Sequence, residues 1–148
     1  MGPRRASGRD PGRRHQVRPN SGCSAPARAA HSIIGDPGLK HLTRLTRLQR
    51  LDLTRTNVKR GVRHIAALPD VRYLDLYGTK VDDEGLEGLR GAPALEELIL
   101  CETPITDRGL RALHGMKSLR RVNAAYTAAT AQGKKSLGST LKRGAQVL

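Results

Sequence analysis

The sequence predicts an α/β fold in which short strand, turn and helix units stack into a solenoid, with a parallel sheet on one face and short helices on the other. Three observations carry this expectation. One stretch is written three times, as Leu48-Gln-Arg-Leu51-Asp-Leu53-Thr-Arg-Thr56-Asn-Val58, Val71-Arg-Tyr-Leu74-Asp-Leu76-Tyr-Gly-Thr79-Lys-Val81 and Leu95-Glu-Glu-Leu98-Ile-Leu100-Cys-Glu-Thr103-Pro-Ile105. A worn fourth copy runs from Leu119 to Ala129, and the copies start 23, 24 and 24 residues apart. A fixed period of this length marks stacked supersecondary units, none of which can bury its apolar face alone.

Between the copies lies the third signal, an apolar step of three on each predicted helix: Leu39, Leu42, Leu45; Val62, Ile65, Leu68; Leu86, Leu89, Ala92; Leu110, Leu113, Met116. Two turns with one buried face follow from that step. Asp36, Asp83 and Asp107 stand just before the helices and are expected to cap their N-termini, with Pro37 at a first helical position where a missing N–H costs nothing. The unit after Val58 is one residue shorter and carries Arg60 in that vicinity, so its cap should be the weakest. In the strands, Leu51, Leu74, Leu98 and Val122 should form one apolar column and Leu53, Leu76, Leu100 and Ala124 another. The threonine column Thr56, Thr79, Thr103, Thr127 falls where the chain leaves the sheet, where a hydroxyl is expected to bond its own turn and the adjacent one. Residues 133–147 are read as a last helix that closes the stack.

Residues 1–32 read differently. They hold seven arginines against the single acid Asp10, with Pro3, Pro11, Pro19 and Pro26 and almost nothing to bury, and are expected to be a disordered basic tail. Residues 33–148 form the repeat domain. The net charge of +14 points towards nucleic acid, but the chain has no Phe, no Trp and three Tyr, so platforms for base stacking are scarce. The tail is left with a weak phosphate contact as its second reading. No run of apolar residues long enough to cross a membrane is present. Cys23 and Cys101 give neither a disulfide framework nor a zinc spacing, which suits a reducing, cytoplasmic setting.

The pattern L-x-x-L-x-L-x-x-T-x-V/I followed by T/D-D-x-G-L-x-x-L resembles the leucine-rich repeat family, with Thr where Asn is more usual. The T-D-x-G-L segment is similar to the ribonuclease-inhibitor-like branch and to bacterial Thr-type repeats of 24 residues. The likeness covers residues 33–148. It implies a horseshoe segment with the sheet concave and the helices convex, serving as a monomeric scaffold for recognition. Similarity to the repeat half of ubiquitin-ligase substrate receptors adds a further, lower-ranked reading, substrate recruitment.

On such a scaffold the residues between the inward leucines face outward. Tyr73, Tyr77 and Tyr126, all the tyrosines of the chain, fall in that set and are the candidate anchors for a protein partner. Arg50, Arg72, Arg120 and Arg121 would take carboxylates, and Glu96, Glu97 and Glu102 would take basic groups. Charge is banded: eight bases and one acid from Lys40 to Arg63, ten acids and three bases from Asp70 to Asp107, nine bases and no acid from Arg108 on. That banding fits a patterned protein partner better than a uniform phosphate rod. No catalytic, cofactor or metal role is expected. There is no P-loop, nucleophile elbow or H-E-x-x-H, and His41 and His64 lack a third ligand. Cys101, expected on the sheet face, has Glu96, Glu97 and Glu102 near it in sequence, which opposes a thiolate. Asp82 and Asp83 read as a helix start rather than an acid and base pair.

Overall fold

A computed structural model describes residues 35–141 and 144–148; the predicted basic tail, residues 1–32, lies outside the described residues. The chain forms α1 (Asp36–Leu42), β1 (Arg50–Asp52), a 3₁₀ helix (Gly61–Ala67), β2 (Tyr73–Asp75), α2 (Asp83–Glu87) running into a 3₁₀ turn (Gly88–Gly91), β3 (Glu97–Ile99), α3 (Asp107–Ala112), β4 (Arg121–Asn123), α4 (Ala131–Thr140) and β5 (Gln146–Val147). The strands make one five-stranded sheet in chain order, every pair parallel. Leu51, Leu74, Leu98, Val122 and Val147 occupy successive rungs of one register.

Alternation along each strand sends that column to the helix side, where it joins Leu39, Ile65, Leu86, Leu89, Leu110, Leu113 and Leu137 in one apolar core. Leu74, Leu98 and Val122 are fully buried. Burial of a leucine of this kind is worth about 1.5–3 kcal/mol. The three-residue strands understate the ladder. Arg72 and Tyr73 both donate to the carbonyl of Gln49, and beyond the strand Leu53 donates to Asp75 and Arg55 to Tyr77. The same steps recur one unit on, from Glu96 and Glu97 to Arg72, Leu76 to Ile99 and Gly78 to Cys101.

Helical segments depart from the expected pattern in two places. The second is a 3₁₀ helix with no side-chain cap bond at Arg60, as the missing acid there implies, and α1 likewise begins at Gly35 without one. Leu45 falls beyond the end of α1 and is 50% exposed, so the first apolar triplet ends at Leu42. The chain's end differs as well. The reading of residues 133–147 as one closing helix is corrected: α4 stops at Thr140, and Gln146–Val147 adds a fifth parallel strand to β4. Two residues are too short a run for periodicity to reveal.

The aspartates also do something other than expected. The caps are Asp82, Thr106 and Thr130, whose side chains accept from Gly85, Arg108 and Gly133. Asp36, Asp83 and Asp107 sit one residue inside their helices and reach across to the following unit. Asp36 accepts from the amides of Lys59 (2.7 Å) and Arg60 (3.0 Å). Asp83 takes the amide (2.8 Å) and hydroxyl (2.6 Å) of Thr106, and Asp107 repeats that grip on Thr130 at 2.7 Å for both. Each staple needs a glycine opposite it. A Cβ on Gly109 would lie 2.4 Å from Asp83 Oδ1, and one on Gly133 would lie 2.1 Å from Asp107 Oδ1. In the next step Arg60 stands where the staple needs an aspartate, and ion pairs reach the following unit instead: Lys59 to Asp82 (3.2 Å) and Arg60 to Glu84.

Charge bookkeeping at the staples follows from these bonds. Burial pushes the Asp36 carboxyl up, but the amides of Lys59, Gly61 and Arg60 outweigh it and the net pKa is lowered. Asp82 behaves alike, with Gly85 and Lys59 overcoming burial, and Asp107 is lowered by the Thr130 hydroxyl and amide. A depressed carboxylate contributes stability that is present above its unfolded value near 3.9 and lost as pH falls through the folded one. The threonine column is simpler than expected. Thr56, Thr79, Thr103 and Thr127 each donate to the carbonyl three residues back in their own turn, and no bond to a neighbouring turn is among their contacts.

Chemical denaturation of three variants tests the staple. Asp83→Ala should lose about 1–2 kcal/mol with its two bonds to Thr106. Gly109→Ala, whose Cβ would sit 2.4 Å from Asp83 Oδ1, should lose about 1–3 kcal/mol. Gly91→Ala meets only Ala66 Cβ at 3.8 Å and should stay within about 0.5 kcal/mol of the parent; equal losses at all three glycine and aspartate positions would contradict the assignment.

Candidate functional site

Because strand residues alternate, the side chains flanking each buried leucine lie on the sheet face away from the core. In register across that face run Arg50, Tyr73, Glu97, Arg121 and Gln146, and beside them Asp52, Asp75, Ile99 and Asn123. Four of the sequence-predicted site residues therefore share one row. Arg72, Glu96 and Arg120 precede their strands by one residue and form a rung of their own, each amide donating to the carbonyl of the residue before it on that rung, from Gln49 on. Ion pairs stitch neighbouring units on this side: Arg72 to Glu96 at 3.0 Å and Arg121 to Glu97 at 3.2 Å.

Tyr73 is held on two sides. The Arg50 guanidinium lies 4.2 Å from its ring centroid, and its hydroxyl donates to Asp75 Oδ2 at 3.2 Å. Burial, with the Asp75 charge beside it, pushes the Tyr73 hydroxyl up to about 12. Asp75 is itself raised, chiefly by burial and despite the amide of Tyr77. Its Oδ1 accepts from Tyr77 N at 2.9 Å, as Asp52 accepts from Thr54 and Asn123 from Ala125. The acids at the strand ends are thus turn formers as well as surface groups.

After each strand the chain turns through a left-handed residue: Arg55 (φ 55°), Gly78 (63°), Glu102 (55°) and Tyr126 (56°). Only Gly78 announces that turn in the sequence. The turn swings the following side chains out of simple alternation, and it places three predicted residues differently. Tyr77 is 7% exposed, its hydroxyl donating to Glu102 Oε1 at 2.8 Å and its ring under Arg55 at 5.5 Å. That hydroxyl, by hydrogen bonding, is also the main cause of a raised Arg55 pKa. Tyr77 is thereby part of the turn's packing rather than an open anchor. Glu102 is exposed but engaged with that hydroxyl. Tyr126, by contrast, is 79% exposed.

Cys101 is corrected more sharply. It is fully buried, not on the sheet face, its sulfur lies 3.9 Å from the Asn123 carbonyl oxygen, and it is not a free thiol; Cys23 lies outside the described residues. Among the described residues no group of three or more His, Cys, Asp and Glu could hold a metal, and no helix is long and apolar enough to cross a membrane. Sequence reasoning missed Asp75 as the partner of Tyr73 and Arg55 as the cover of Tyr77. The first was open to a two-residue alternation argument; the second depends on the hidden left-handed turn. No protein-family model matches the chain, and no curated protein matches it.

Tyr73 supplies a pH test. Its folded value of about 12 exceeds the unfolded value near 10, so between them the folded state keeps a proton that the unfolded chain releases. Stability should therefore fall as pH rises from about 10 to 12. Tyrosinate absorbance should show a step near pH 12 that vanishes in Tyr73→Phe; persistence of that step in the variant would contradict the assignment.

Proposed function

We propose that the chain is a leucine-rich-repeat solenoid segment of the ribonuclease-inhibitor-like kind, acting as a non-enzymatic, monomeric, cytoplasmic module that binds a protein partner on its sheet face. One observation carries the reading. The side chains on the face away from the leucine core include a charged and aromatic row, Arg50, Tyr73, Glu97 and Arg121, in register on four strands. A row of this composition resembles the Tyr and Arg enrichment of interface centres. Backbone ladders and staples hold the row, so little ordering entropy remains to oppose binding. Association is reversible, with no bond made or broken. Protein fits better than nucleic acid, because Glu96 and Glu97 stand between the arginines of the row.

The test uses two exposed positions that the fold does not need. Tyr126→Gly suits φ 56° without strain, and Arg120→Glu reverses a surface charge. Affinity capture with the full chain should retain a protein that the double variant loses, while both keep the same circular dichroism. Identical capture by the variant would reject the reading; capture abolished by ribonuclease would favour nucleic acid, the second partner class considered for the basic tail.

A further inference from the structure

Two arginines at the first strand differ from the other bases of the described residues. Arg50 lies over the Tyr73 ring at 4.2 Å and Arg55 over the Tyr77 ring at 5.5 Å, both within the range in which an aromatic quadrupole holds a cation. Neither has an ion pair among the described residues, whereas Lys59, Arg60, Arg72, Arg108 and Arg121 each reach an acid of a neighbouring unit. The acids nearest to hand are committed elsewhere. Asp52 accepts from the Thr54 amide, Asp75 from Tyr77 and Tyr73, and Glu102 from the Tyr77 hydroxyl.

A guanidinium resting on a ring keeps its N–H donors in its own plane, directed outward at the edges. The ring fixes the head, so less side-chain freedom is lost when the edge binds. Both arginines are exposed, as are Arg44 and Arg47 on the loop before β1. This end of the sheet is accordingly rich in positive charge that makes no ion pair among the described residues, with a guanidinium seated on a ring at two points.

We propose that Arg50 and Arg55 are a paired docking point for an acidic segment of a protein partner, each guanidinium edge taking one carboxylate. The proposal rests on the reading of the sheet face as a recognition surface and names the chemistry of what it recognises. Arg50 lies on β1 and Arg55 in the turn that follows it, closed by the Thr56 amide on the Leu53 carbonyl, so two separate guanidinium heads are presented and the carboxylates belong to two residues of an acidic stretch rather than to one. A phosphate chain fits less well. The Tyr73 ring is already covered by Arg50 and Tyr77 is buried, which leaves neither ring as a platform for a base.

Binding of a synthetic glutamate-rich peptide, followed through arginine Nε–H nuclear magnetic resonance signals of the full chain, tests this directly. A single-stranded oligouridylate of equal charge is the comparison. The Arg50 and Arg55 signals should move first, and the double variant Arg50→Lys, Arg55→Lys, which keeps charge but loses the planar fork, should bind the peptide roughly tenfold more weakly. Unchanged affinity in the lysine variant, or shifts spread evenly over all bases, would reduce the effect to the net charge of +14 and overturn the proposal. Tighter binding of the oligouridylate through the same two residues would overturn the partner class. Arg120→Glu with Tyr126→Gly probes a different part of the surface: if that pair abolishes protein capture while the lysine variant leaves peptide binding intact, only the acidic-segment assignment falls. If capture survives that pair, the recognition reading itself falls.

Discussion

The parallel ladder that joins Leu51, Leu74, Leu98, Val122 and Val147 rung to rung is the constraint on which everything else rests. A three-residue strand has no independent stability. It exists here because its neighbours supply amide partners on both sides and cover the leucine it buries. Once the ladder is fixed, sequence order becomes spatial order, and a residue type repeated every 23 or 24 positions must meet its own kind. Apolar residues gain by that meeting. Like charges do not, and the chain answers by placing Arg72 against Glu96 and Arg121 against Glu97 in neighbouring units.

A second layer of order lies at the helix starts. Asp36, Asp83 and Asp107 each satisfy amides of the following unit, and Gly61, Gly109 and Gly133 give those carboxylates room. Stapling on the helix side and pairing on the strand side hold one unit to the next at two separated points, which resists rotation between them. The step that lacks an aspartate, from Lys59 and Arg60, has side-chain ion pairs in place of the staple. Such exposed pairs contribute little each, so this joint is the softest of the described steps.

The leucine columns and the helix apolar faces were legible in the sequence because burial repeats with the chain's own period and needs no knowledge of partners. The staples were not, because an aspartate at a helix start reads as a local cap while the amides that donate to it lie 23 or 24 residues away. Nor was the burial of Tyr77 or of Cys101. Both follow a strand into a turn whose left-handed residue is Arg, Glu or Tyr at three of its four occurrences, and only Gly78 carries the usual mark. The row Arg50, Tyr73, Glu97, Arg121 was readable from alternation alone, but the way Tyr73 is gripped by Arg50 and Asp75 required the register.

Register is therefore what the account must not have wrong. Scalar couplings transmitted through hydrogen bonds report it one pair at a time, from amide nitrogen to accepting carbonyl carbon. The ladder predicts couplings from Leu53 to Asp75, Leu76 to Ile99, Leu100 to Asn123 and Ala124 to Leu148. Couplings displaced by one residue at any of these steps would turn the leucines outward and the charged row inward, and the fold, the site and its partner chemistry would all be contradicted together.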